Sequence, residues 1–177
     1  DLSITERAKR GISFAFQQPV HFKGLTVKDL VNIAAGKPMS VSDICDILSE
    51  VGLCAREYID REVNSSLSGG ELKRIEIATI LARGTQLSIF DEPEAALSPQ
   101  RQLTLLINIY RCAQEGAQFI IVSHSPILLG MPDAEIFSFD NGTIHPCQYE
   151  DTDSYVITKT FVNNRQHFLN QLLNEET

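Results

Sequence analysis

The stretch LSGGELKRIEIATILARGTQLSIFDEPEAALSPQ, residues 67–100, decides the fold. It opens Leu67-Ser68-Gly69-Gly70-Glu71, where Ser68 and Glu71 stand in the order of a capping box and predict a helix start. Good helix formers continue to Arg83, and Gly84 supplies a left-handed stop. Gln86 to Phe90 is then a compact apolar run ending in Asp91-Glu92-Pro93, which reads as a buried strand with a polar tip. Ser98 and Pro99 supply the N-cap and first position of a helix reaching about Glu115. Ala117 to Val122 is a second such strand, ending in Ser123-His124-Ser125-Pro126. Strand, helix and strand in this order predict a β-α-β unit with parallel strands and a right-handed crossover.

Upstream, Ser3 to Lys9 reads as a helix stopped at Gly11, and Ile12 to Phe16 as a short buried strand whose tip is Gln17-Gln18-Pro19. Thr26 with Asp29 and Ser40 with Asp43 open two amphipathic patterns separated by Gly36-Lys37-Pro38, a small helical insert. Downstream, Ala134 to Phe139 and Thr143 to Tyr149 flank Asn141-Gly142, a favoured hairpin turn, and the tail from Asp153 is expected to be helical.

Composition narrows the function. The chain has 177 residues, 43% hydrophobic and 21% charged, as in a globular domain, and no apolar run approaches the ~20 residues of a membrane span. Fifteen basic against 23 acidic residues leave a net charge of −8, which argues against an extended nucleic-acid surface. Cys45, Cys54, Cys112 and Cys147 form no metal-like or stapling pattern and read as reduced thiols of a cytoplasmic protein.

Polar groups thus fall at the carboxyl ends of strands and at one helix start, where open α/β sheets bind ligands. In this order they resemble the ABC-type ATPases. Leu67 to Glu71 is similar to that family's signature, with Glu in its last place, and Leu87-Ser88-Ile89-Phe90-Asp91-Glu92 to its Walker B strand and catalytic carboxylate. Gln17 matches the Q-loop glutamine and His124 the switch histidine. The resemblance implies an α/β, P-loop NTPase core of the ABC type: a mostly parallel sheet with flanking helices, and a small helical subdomain between Q-loop and signature. It divides the chain, 1–177, into a helical insert at 20–66 and a part from 67 to 177 carrying signature helix, Walker B, switch histidine and C-terminal hairpin and helix.

The cofactors implied are ATP and Mg²⁺. Asp91 and Gln17 would serve the metal, usually through its water shell. Glu92 would orient or deprotonate the attacking water, with Gln17 and His124 as the other catalytic groups. Ser68, Gly69, Gly70 and Glu71 would form the phosphate-binding turn, because a helix N-terminus presents free N–H groups and a favourable dipole to an anion. In the family this turn meets the nucleotide of a second ATPase subunit, which implies a head-to-tail homodimer or heterodimer.

No G-x-x-x-x-G-K-[ST] motif is present: Gly36-Lys37 is followed by Pro38, with Val31 where the first glycine belongs. The expectation is a partial domain whose Walker A lies upstream, inactive alone. Within the family, residues 4–95 look like the SufC-type iron–sulfur assembly ATPases, and from Asp91 onward the chain looks like soluble ATPases of RecF/SMC type, so a join is expected near 91–95. Leu97 is followed by Ser98 where the family's D-loop usually ends Leu-Asp. The function expected is ATP hydrolysis with a soluble assembly scaffold as partner. The alternatives are the ATP-binding subunit of a membrane transporter, membrane-associated through a permease, or a non-catalytic binding module.

Overall fold

The computed structural model describes residues 1–18, 20–95, 97–139 and 142–174. The chain divides into two compact units, Asp1–Ser123 and His124–Thr177.

In the first unit, α1 (Ile4–Lys9) leads into β1 (Ile12–Ala15), followed by α2 (Val27–Ala35), α3 (Val41–Glu50), α4 (Ala55–Tyr58) and α5 (Gly69–Arg83). Then come β2 (Leu87–Asp91), α6 (Pro99–Gln114) and β3 (Gln118–Val122). The expected capping boxes are formed at Thr26 and Ser68, and Ser40 caps α3 by accepting from the Asp43 N–H. Gly84, at φ 59°, ends α5 in the left-handed conformation. The expected helical insert, 20–66, holds α2, α3 and α4.

The sheet is parallel, in the order β1-β2-β3, with Ala15 beside Phe90 and Phe90 beside Ile121. This is the expected α/β arrangement, and β2-α6-β3 is the expected β-α-β unit. Ser13, Ala15, Ser88 and Phe90 are buried on one sheet face, while Phe14, Ile120 and Val122 on the other are about half exposed. Small residues at Ser13 and Ala15 leave room for α5, which packs on β1 and also on α2 and α3. A helix touched from several directions cannot have one apolar stripe. Accordingly Ile75 and Ile77, which point to nearly opposite sides, are both buried.

The second unit contains α7 (Pro126–Leu129), capped by the Ser125 hydroxyl, and an antiparallel pair, β4 (Ile136–Ser138) and β5 (His145–Cys147). A 3-10 turn at Tyr149–Asp151 leads to α8 (Asp153–Asn163) and α9 (Arg165–Asn174), where the sequence predicts a helical tail. Tyr149 donates to the Pro126 carbonyl at 2.8 Å, and its ring packs at a tilt against that of Tyr155. The expected turn residue Asn141 lies outside the described residues.

One turn of the insert is tied to both α5 and α6. α3 ends in a Schellman motif, with Gly52 at φ 71° and the Leu53 N–H donating to the Leu48 carbonyl at 2.8 Å. Arg74 donates to the Gly52 carbonyl and Asn108 to that of Glu50, both at 3.0 Å. A Cβ on Gly52 would stand 1.8 Å from the Arg101 guanidinium. That side chain can swing away, but the left-handed backbone cannot relax. Gly52→Ala should therefore cost the full-length protein about 1–2 kcal/mol in urea denaturation, with an unchanged m value. An unmoved midpoint would show that the turn adapts freely.

Candidate functional site

β1 and β2 are adjacent, so the residues following them are neighbours in space although far apart in sequence. Gln17 Nε2 donates to Glu92 Oε2 at 2.9 Å. Glu92 has φ 43°, a left-handed conformation that a non-glycine residue holds at a cost of about 1–3 kcal/mol. Its N–H donates to the Val122 carbonyl at 2.9 Å, continuing the β2–β3 ladder past the strand end. The positive φ thus falls where β2 breaks, on the carboxylate that meets Gln17. Asp91 is the last residue of β2 and pairs in register with Val122. Ser123 Oγ donates to Glu94 Oε1 at 2.7 Å, joining the loops beyond β2 and β3.

Gln17 is tethered from behind. Lys73 is 1% exposed and pairs with Glu76 at 3.2 Å. Its ammonium donates to the Phe16 carbonyl, and the Phe16 N–H donates to Glu76 Oε1 at 3.2 Å. Burial pushes the Glu76 carboxyl up, while Lys73 and the Phe16 N–H pull it back. Along the sequence Lys73 and Glu76 are two of the helix formers between Glu71 and Arg83. Their spacing of three along α5 was the available signal, and only burial makes it informative.

The signature turn lies at the N-terminus of α5. Ser68 and Gly69 are exposed, and no atom lies within 4 Å of the position a Gly69 Cβ would take. Free N–H groups at an open helix start suit a phosphate. Glu71 faces inward instead: Oε2 accepts from the Ser68 N–H at 2.6 Å, and Oε1 accepts from the Tyr58 hydroxyl and lies 3.5 Å from Arg61. Arg61 also lies over the Tyr58 ring. Tyr58 was not singled out in the sequence because α4 is a single short turn.

His124 is exposed and is the first residue of the second unit. Among the described residues, no three His, Cys, Asp or Glu side chains cluster as a metal site.

The Tyr58 hydroxyl above all, and then the Ser68 N–H and hydroxyl, hold the Glu71 carboxyl at about 2, below its usual 4.5. A depressed carboxyl stabilises the fold fully above about 4.5 and loses that contribution as pH falls toward about 2. Glu71→Gln should therefore lower Tm most near neutrality, with the gap to wild type narrowing below pH ~4.5. A gap independent of pH would contradict the tether.

A family model described as ABC transporter matches residues 2–95. An uncharacterized ABC transporter ATP-binding protein of Methanocaldococcus jannaschii is 38% identical over 103 residues, covering 55% of this chain and 41% of the relative. The thiamine import ATP-binding protein ThiQ of Brucella abortus is 30% identical over 151 residues, covering 81% of this chain and 61% of the relative. A solved structure described as the ATP-binding subunit of an ABC transporter superposes with a TM-score of 0.57 at 22% identity, over 67% of this chain and 50% of that one, a likeness of fold. The chain spans about half the length of the curated relatives it matches. These relatives are described as transporter ATP-binding proteins, and the expected SufC-like and RecF/SMC-type affiliations find no support in them. With more than half of its residues inside the family model, the chain belongs to the ABC transporter ATPase-domain family.

Proposed function

We propose that this chain is part of the ATP-binding subunit of a membrane ABC transporter, that the complete subunit hydrolyses ATP, and that Glu92 is the residue that handles the attacking water. The observation carrying this reading is the Gln17–Glu92 hydrogen bond at the tips of adjacent strands, made by a carboxylate in a strained left-handed conformation. Membership of the family and the transporter descriptions of the relatives support the permease as partner over a soluble assembly scaffold. No helix among the described residues is long and apolar enough to cross a membrane.

When bound, ATP with Mg²⁺ supplies the phosphoanhydride to be cleaved and the cation that offsets charge on its oxygens. The chain's residues supply position and proton handling. Glu92 accepts a hydrogen bond, and then the proton, from water, while Gln17 donates to one of its carboxylate oxygens and orients the group. Asp91, one residue earlier, offers its carboxylate to the Mg²⁺ water shell together with the Gln17 amide oxygen. His124 is assigned hydrogen-bond donation to the γ-phosphate.

Ser68, Gly69 and Gly70 present an exposed helix start to the nucleotide of a second ATPase subunit in a head-to-tail dimer. Glu71 keeps that turn in shape through Ser68, Tyr58 and Arg61 rather than meeting the phosphate itself. The helical insert, 20–66, would be the part that faces the permease. Residues 1–177 lack a P-loop motif, so the β- and γ-phosphates must be cradled by residues outside this stretch.

Glu92→Gln in the full-length protein should retain ATP binding and lower phosphate release about a hundredfold or more, because it keeps size and hydrogen bonding but cannot take a proton. MgATP should then hold the variant as a dimer in sedimentation. Unchanged turnover would move the water-handling role away from Glu92. Gly69→Asp, which places a carboxylate in the open turn, should abolish MgATP-dependent dimerisation while leaving nucleotide binding to the separate subunit. Undiminished dimerisation would remove the signature turn from the interface.

A further inference from the structure

The buried pair Lys73–Glu76 is a costly device at an informative place. A buried ion pair is seldom better for stability than apolar residues of the same volume, because desolvation offsets the attraction. Lys73 and Glu76 therefore call for a reason other than stability. What they hold is the backbone of one residue: Lys73 takes the Phe16 carbonyl, Glu76 takes the Phe16 N–H at 3.2 Å, and the two side chains lie 3.2 Å apart. Phe16 lies one residue beyond β1, past the hydrogen-bonded ladder that fixes the strand. Gripping its N–H and carbonyl from one helix fixes the peptide instead, and Gln17 is the next residue.

We infer that Lys73 and Glu76 are positioning residues for the reaction: by clamping Phe16 they fix the backbone from which Gln17 places its amide on Glu92. The inference rests on the reading of Gln17 and Glu92 given above. One helix then carries both parts of the proposed machinery. The N-terminus of α5 offers the signature turn to a second subunit, and its next turn holds the Gln17 strand tip of its own. A misplacement of Gln17 by about an ångström is enough to cost one to two orders of magnitude in rate without a change in what the nucleotide binds.

The test is a mutant cycle in the full-length protein, read as kcat and KM for MgATP, with Tm as control. Lys73→Met combined with Glu76→Leu replaces the pair by apolar groups and should keep Tm close to wild type. It should lower kcat about tenfold or more with KM little changed. In a Gln17→Ala background the same replacement should cause no further loss, because the clamp acts only through Gln17. Amide exchange at Phe16 should be faster in the clamp variant than in wild type. Should the double replacement unfold the protein, Glu76→Gln keeps the volume, loosens the hold on Lys73 and carries the same cycle. Losses that multiply with that of Gln17→Ala, or a clamp variant with wild-type kcat, would overturn the inference and leave the Gln17–Glu92 site standing. Wild-type turnover in Gln17→Ala would overturn both.

Discussion

The first unit depends on how α5 is enclosed. Its sides face α2, α3 and β1 at once, so Leu72, Ile75, Ile77, Ala78 and Ile80 are all buried, and a lysine is buried among them. A cation in that position must have an anion and hydrogen-bond acceptors beside it, because losing one partner of a buried pair costs about 3–5 kcal/mol. Glu76 and the Phe16 carbonyl meet the requirement. The same contacts fix the end of β1. Packing of the central helix, neutralisation of its charge and the location of Gln17 are one arrangement.

The sheet adds a second constraint. Its strands are parallel and in register, so the residues beyond their carboxyl ends gather at one edge. Gln17 and Glu92 meet there although 75 positions separate them. The left-handed backbone at Glu92 turns the chain out of the ladder immediately before the buried Pro93. Such strain persists only where surrounding contacts over-determine it, and here the Val122 carbonyl holds one side and Gln17 the other.

Much of this was legible in residues that act locally. Ser68 with Glu71 and Gly84 marked both ends of α5, Ser98-Pro99 marked the start of α6, and the two apolar runs ending at Asp91 and Val122 gave parallel strands. Gln17 and Glu92 were legible as site residues only through resemblance, since nothing local links the tips of two strands. Other features depend on tertiary context. Lys73 and Glu76 read as solvated helix residues until α5 is enclosed. Tyr58 lies on a single helical turn with no periodicity to announce it, and the positive φ of Glu92 follows from the ladder around it. Subfamily was the least legible. The likeness of residues 4–95 points to iron–sulfur assembly ATPases, whereas relatives matched over longer spans are described as transporter ATP-binding proteins.

In the function proposed above, α5 serves two nucleotide sites, its own through Phe16 and Gln17 and a second subunit's through Ser68, Gly69 and Gly70. A crystal structure of the full-length Glu92→Gln protein grown with MgATP tests this most directly. The expected result is a head-to-tail dimer with Gln17 and Asp91 at the Mg²⁺ shell, Lys73 and Glu76 still gripping Phe16, and the Ser68–Gly70 turn of one subunit against the γ-phosphate bound by the other. A nucleotide bound away from the ends of β1 and β2, or a dimer that buries neither Ser68 nor Gly69, would contradict it.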